Sequence, residues 1–145
     1  MSGITIRRAE PRDFAAVQEL QRSTHLMLTS IQSGIAIPVE DMEMQISSPN
    51  GIFGIAQSGG EVVGFIYGEK LAARWALASY FAVRPDYQGS EVYKKLGEWF
   101  IAESRNRGVK YIVSYADSDN KRLINFYKRF GFAAGDTYVE MVKEI

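Results

Sequence analysis

Ile4 and Ile6 alternate with Thr5 and Arg7, the two-residue period of a short strand. Pro11 then stands where a first helical turn tolerates a missing N–H, and Phe14, Val17 and Leu20 fall on one stripe of the helix that follows. Pro38, Val39, Met42 and Ile46 repeat at helical spacing and predict a second short helix, closed before Pro49-Asn50-Gly51. Between these helices, the stretch from Ser23 to Val39 is apolar but interrupted by Thr29, Ser30, Gln32, Ser33, Gly34 and Pro38. It is too broken to span a bilayer and reads as an apolar loop or a broken helix.

Farther along, Ile52 to Gln57 and Glu61 to Lys70 flank Ser58-Gly59-Gly60, a pattern that predicts a hairpin because paired glycines supply the backbone a primed turn needs. In its second strand Val62, Gly64, Ile66 and Gly68 share one face, and the two glycines there leave room for a helix or a ligand to approach closely. Arg74 to Val83 makes another strand, stopped by Arg84-Pro85. From Ser90 to about Arg107 the apolar positions Val92, Leu96, Trp99 and Phe100 predict the main helix, with Gly108 as its C-terminal cap. Tyr111 to Tyr115 forms a compact strand. Asp117, Ser118 and Asp119 offer N-caps for a helix carrying Leu123, Phe126, Tyr127 and Phe130, ended by Gly131. Tyr138 to Val142 is expected as a last strand, with Tyr138, Glu140 and Val142 on one face and Val139, Met141 and Lys143 on the other. The order βααβββαβαβ describes an α/β or α+β domain with a mixed sheet, one domain over residues 1–145.

Composition narrows the chemistry. Among 145 residues, 17 Lys plus Arg balance 17 Asp plus Glu, so no broad basic field exists to hold nucleic acid or anionic lipid. With no cysteine and one histidine, thiolate nucleophiles, disulfides and zinc sites are excluded as default readings, and no metal is expected. The opening MSGITIRRAEPRD lacks the apolar stretch of a secretory signal, so the expected compartment is the cytoplasm.

Two places carry chemistry. Phe81 to Ser90 runs from a strand end through a tight polar turn into a long helix, and helix-start N–H groups with the helix dipole favour a phosphate there. An ordinary strand-to-helix connection capped by Ser90 reads equally well from this stretch alone. Asn120 and Tyr127 are seven residues apart, close to two helical turns, and so share a face. A core tyrosine with its hydroxyl at the rim is the plainer reading of Tyr127.

Taken together, the element order, the Val83-x-Pro85-x-x-Gln88-Gly89 turn before the long helix, and Asn120…Phe126-Tyr127…Gly131-Phe132 resemble the GNAT superfamily of acetyl-CoA-dependent N-acetyltransferases. The resemblance covers nearly the whole chain, most specifically its C-terminal half. It implies a mixed, mostly antiparallel central sheet flanked by helices, with the main chain of Phe81, Ala82 and Val83 binding the pantetheine arm. It further implies a pyrophosphate loop spanning Gln88, Gly89, Ser90, Glu91, Val92 and Tyr93. Gln88 matches the family's first loop position. Glu91 and Tyr93 stand where small residues are expected, adding a carboxylate that repels a pyrophosphate and bulk at a packing position. Lys94 and Lys95 supply positive charge nearby.

By that resemblance the chain is an N-acetyltransferase that moves an acetyl group from acetyl-CoA to a primary amine by direct attack, on a small-molecule or peptide acceptor. Tyr127 matches the family tyrosine that protonates the leaving thiolate, and Asn120 the position that holds the pantetheine arm or a bound water. No carboxylate occupies Ala78-Ser79-Tyr80, where many members carry the base, which leaves Tyr80 or a water chain, Glu69 and His25 as candidates. The acceptor pocket is expected from the Ser23 to Pro38 loop, the strand around Trp75 to Tyr80 and the last strand near Tyr138, whose aromatic character favours an apolar amine over a polycation. The altered loop also supports an alternative, a catalytically weak domain serving as an acyl-CoA sensor or protein-interaction module. A homodimer is a further expectation from the family.

Overall fold

The computed structural model describes residues 3–23, 43–44, 46–89, 91–143 and 145. Five strands, β1 (Ile4–Arg8), β2 (Gly51–Ser58), β3 (Glu61–Lys70), β4 (Trp75–Val83) and β5 (Tyr111–Ser114), lie side by side in chain order. The first three junctions are antiparallel and β4–β5 is parallel. Among the described residues three complete α-helices accompany them: α1 (Phe14–Ser23), α2 (Val92–Asn106) and α3 (Lys121–Arg129). Single 3-10 turns at Pro11–Asp13 and Pro85–Tyr87 start α1 and leave β4.

The sheet is buried on both faces. On one side α2 presents Val92, Leu96 and Phe100 to Ile52, Val63, Ile66 and Val83. On the other, Val17 and Leu20 of α1 and Ile46 meet Phe53, Ile55, Phe65 and Ala82. Phe53, Phe65 and Phe100 are fully buried, each contributing about 2 to 3 kcal/mol of transfer free energy. The strand glycines do admit a helix. A Cβ on Gly68 would lie 2.1 Å from the Leu77 carbonyl oxygen and 2.6 Å from the Phe100 ring, so only a bare backbone lets α2 settle this low on β3.

The edge strand β1 is tied to the start of α1 by one ion pair. Arg7 forks onto both oxygens of the buried Asp13 at 2.7 Å, and Asp13 also accepts the Glu10 N–H. Burial alone would raise the Asp13 pKa, but the Arg7 bonds and the Glu10 amide outweigh it and hold the carboxyl below its ordinary value.

Three expectations are corrected. Residues 138–142 form no strand: they are exposed and take no part in the sheet. The alternation is present, with Val139 and Met141 on one face, but both side chains are exposed and no described strand or helix covers them. The sheet therefore ends at β5. The N-cap of α3 is Asn120 rather than Asp117, Ser118 or Asp119, its side-chain oxygen accepting the Leu123 N–H at 3.1 Å. The main helix starts at Val92 with Glu91 as its N-cap. Of the predicted helix around Val39 to Ile46, residues 43–44 and 46–47 are helical and the rest lies outside the described residues, as do His25 and the loop at 24–38.

Candidate active site

The site begins with a defect in β4. Its pairing with β3 shifts between Tyr67/Tyr80 and Gly68/Ala78, so Ser79 is an extra residue with no partner in register. The parallel ladder with β5 runs from Trp75/Tyr111 to Ala78/Ser114 and stops at the same point. Beyond the bulge β4 continues along β3 alone, because β5 ends at Ser114, and the edge of β4 left without a strand partner is the gap, or fork, that the site is built on.

Which backbone groups face the gap follows from alternation. The Arg84 N–H donates to the Val63 carbonyl at 2.7 Å, so Arg84, and with it Ala82 and Tyr80, turn their peptide groups toward β3. Phe81 and Val83 turn theirs the other way, into the gap. The Val83 carbonyl confirms this direction, because it accepts the Gln88 side-chain N–H at 3.2 Å. Ala82 thus supplies no main-chain group to the gap, and its side chain packs into the second core.

The turn after β4 is pinned to the hairpin. Arg84 bonds Asp86 at 2.7 Å and Glu61 at 3.1 Å and lies 5.0 Å over the Tyr87 ring. The Tyr87 hydroxyl reaches Ser58 at 3.1 Å. Gly89, at φ +82°, makes the reversal into α2, a backbone state that a side chain would strain. The first backbone bond of α2 is Lys95 N–H to the Glu91 carbonyl, so the amides of its opening turn point back toward this loop. Ser90 lies outside the described residues. Glu91 is exposed at the helix end, and Val92 is buried in the core. Tyr93 does not block the loop: its ring packs edge-on against Phe81 at 5.7 Å and Phe126 at 6.1 Å.

At the crotch of the fork stands Tyr127. α3 places it edge-on to Phe81 at 6.4 Å and near Phe132 at 5.2 Å, and its hydroxyl lies 2.7 Å from the Ser114 hydroxyl. Ser114 also donates to the Ala78 carbonyl at 2.9 Å. Burial pushes the Tyr127 phenol above its usual value, partly offset by the Ser114 bond, so it is protonated at neutral pH. Next to it a narrow crevice of about 30 Å³ is bounded by Tyr80, Phe81, Phe126, Tyr127 and Phe132.

Tyr80 stacks on Tyr67 at 6.1 Å, and burial, with the charge of Glu140, raises its phenol as well. A neutral phenol is the wrong state for a base, so Tyr80 can relay a proton but not collect one. Trp75 stacks on Tyr111 at 4.8 Å, at the far end of β4, and Tyr138 is exposed. Trp75 is therefore not brought to the fork. Glu69 pairs opposite Leu77, on the closed side of the bulge. Among the described residues no group of three or more His, Asp or Glu side chains could hold a metal ion, and no helix is long and apolar enough to cross a membrane. Ser114 was not among the residues the sequence pointed to, although a lone hydroxyl closing the apolar run Tyr111-Ile112-Val113 was its visible signal.

Known proteins share this fold. The sequence model described as "Acetyltransferase (GNAT) family" matches residues 14–132. A mycothiol acetyltransferase of Streptomyces coelicolor is 32% identical over 91 residues, which is 61% of this chain but 29% of that protein, so the chain spans under a third of that relative's length. The PaiA N-acetyltransferase of Thermoplasma acidophilum, solved with coenzyme A, superposes with a TM-score of 0.79 at 20% identity, over 94% of this chain and 93% of that one. The aminoglycoside acetyltransferase AAC(6')-Iy, solved with a bisubstrate analogue, gives a TM-score of 0.80 at 15% identity over 99% and 100% of the two chains.

Proposed function

Because the chain belongs to the acetyltransferase (GNAT) family, we propose that it transfers the acetyl group of acetyl-CoA to a primary amine by direct attack, within one domain over residues 1–145. The observation that carries this reading is the fork itself. The Phe81 and Val83 peptide groups line an open strand edge that a pantetheine arm fits by main-chain hydrogen bonds, with a protonated phenol at its closed end. The opening turn of α2 and the Gln88-Gly89 loop meet the pyrophosphate, and the Asn120 amide N–H groups stay available to the arm while its oxygen caps α3.

Each residue has one task. An N–H on the open edge polarises the thioester carbonyl, and the amine adds to its carbon. As the C–S bond breaks, its electrons pass to sulfur, and Tyr127 delivers the proton that makes the thiol. The proton of the attacking nitrogen leaves through water, past Tyr80. The side chains around Tyr127, those of Tyr80, Phe81, Phe126 and Phe132, are uncharged aromatics, so an apolar amine suits the site better than a polycation.

Glu91 supports a second reading, an acyl-CoA-binding module with weak catalysis, because a carboxylate beside a pyrophosphate costs affinity. Calorimetric titration with acetyl-CoA, against free coenzyme A, tests both. Micromolar binding, roughly −8 kcal/mol, is expected, and no binding at millimolar ligand would exclude cofactor use by this fork.

A further inference from the structure

Ser114 has one proton and two acceptors. Its Oγ lies 2.9 Å from the Ala78 carbonyl oxygen, which can only accept, and 2.7 Å from the Tyr127 oxygen, which can do either. The same heavy atoms therefore hold two proton arrangements. In one, Tyr127 donates to Ser114 and Ser114 donates to Ala78, which turns the phenolic proton away from the crevice. In the other, Ser114 donates to Tyr127, and the phenolic proton is free to point into the crevice. Passing between them needs only rotation of two hydroxyls.

We propose that Ser114 is a positioning residue for Tyr127: it releases the Ala78 carbonyl and donates to the tyrosine oxygen as that oxygen loses its proton. This rests on the reading of Tyr127 as the acid above. The step balances. The amine lone pair forms the C–N bond, the C–S pair goes to sulfur, the Tyr127 proton goes to sulfur, and the Tyr127 O–H pair remains as a phenolate that accepts from Ser114. The ammonium proton passes to water, and water reprotonates the phenolate, leaving amide and thiol. The rings of Phe81, Phe126 and Phe132 around Tyr127 carry no charge, so a phenolate there is poorly solvated. Among the described groups around the fork, Tyr80 on β4 is a phenol raised by burial and by the charge of Glu140, and Tyr93 on α2 is one raised by burial against the charge of Arg122, so the hydroxyl that touches the Tyr127 oxygen, Ser114, is the donor on which that charge depends.

The test is the titration of Tyr127 by NMR on protein labelled at the tyrosine ring carbon, with Tyr127→Phe identifying its signal. Ser114→Ala should raise the Tyr127 midpoint by about one pH unit, and Ser114→Thr, which keeps the hydroxyl, should return it. Thiol release from acetyl-CoA, with water as the acceptor, should fall about tenfold in Ser114→Ala with the KM for acetyl-CoA unchanged, and recover in Ser114→Thr. An unshifted Tyr127 in Ser114→Ala overturns the proposal, as does a shift with undiminished thiol release. Tyr127→Phe, assayed alongside, keeps the failures apart: if it releases thiol as fast as the natural chain, Tyr127 is not the acid, whatever Ser114 does to its titration.

Discussion

The two halves of β4 share one strand and differ in everything the site needs. Ala76 to Ala78 are paired on both edges, to β3 and to β5, whereas Tyr80 to Val83 are paired only to β3. One unpartnered residue, Ser79, separates them. The first half is ordinary sheet interior, and the second exposes main-chain donors without exposing its side chains, since Ala82 and Val83 remain buried. A bulge thus creates a binding edge while leaving the hydrophobic core intact, and binding and stability should separate along the strand.

The severest way to break this contrast is at Gly68, beside the bulge. Gly68→Val would press a side chain onto the Leu77 carbonyl and Phe100, costing about 4 kcal/mol, read as a lowered denaturant midpoint. Tyr127→Phe should act on the open half alone. We expect turnover about 100-fold lower, equivalent to about 2.7 kcal/mol, with acetyl-CoA affinity by calorimetry nearly unchanged. Asp13→Asn, at the opposite edge of the sheet, is the reciprocal case: about 2 kcal/mol less stable in urea with no change in acetyl-CoA affinity. The Asp13 carboxyl titrates below its unfolded value near 4, so its stabilisation is complete above that pH and is lost as pH falls through the folded value; the Asn variant should lack this acid limb. The smallest effect belongs to Glu91→Gln, which removes an anion from the loop and should tighten acetyl-CoA about threefold at low salt, less at high salt. Tyr93 is better left alone, because its ring supports Phe81 and Phe126.

What the sequence disclosed followed periodicity. The Ser58-Gly59-Gly60 hairpin, the stripe of Val92, Leu96 and Phe100, and the close approach at Gly68 are local or one-face patterns, and all are found in the structure. The family resemblance pointed to Tyr127 and to the stretch Phe81 to Val83, two places that the structure brings together, with the Phe81 and Tyr127 rings 6.4 Å apart. The bulge at Ser79 was invisible, because register is a property of two strands and no local pattern encodes it. That bulge in turn decides that Phe81 and Val83, but not Ala82, face the gap. Ser114 escaped notice for a related reason: its partners, Ala78 and Tyr127, belong to different elements. The strand expected at Tyr138 to Val142 failed because alternation is a necessary sign of a strand and not a sufficient one, and its apolar side chains Val139 and Met141 find no partner among the described residues to cover them.

The parallel pairing of β4 with β5 also sets an order of assembly. The β2–β3 and β3–β4 hairpins can close locally, but β5 reaches its place only after the whole of α2 has crossed over and packed, which brings Ala78 and Ser114 together from distant points of the chain. We therefore expect the hydroxyl chain at Tyr127 to be completed late in folding. Held by a four-residue edge strand rather than by the long hairpins, it should open before they do. Acetyl transfer would thus cease at denaturant concentrations where most of the sheet is still folded.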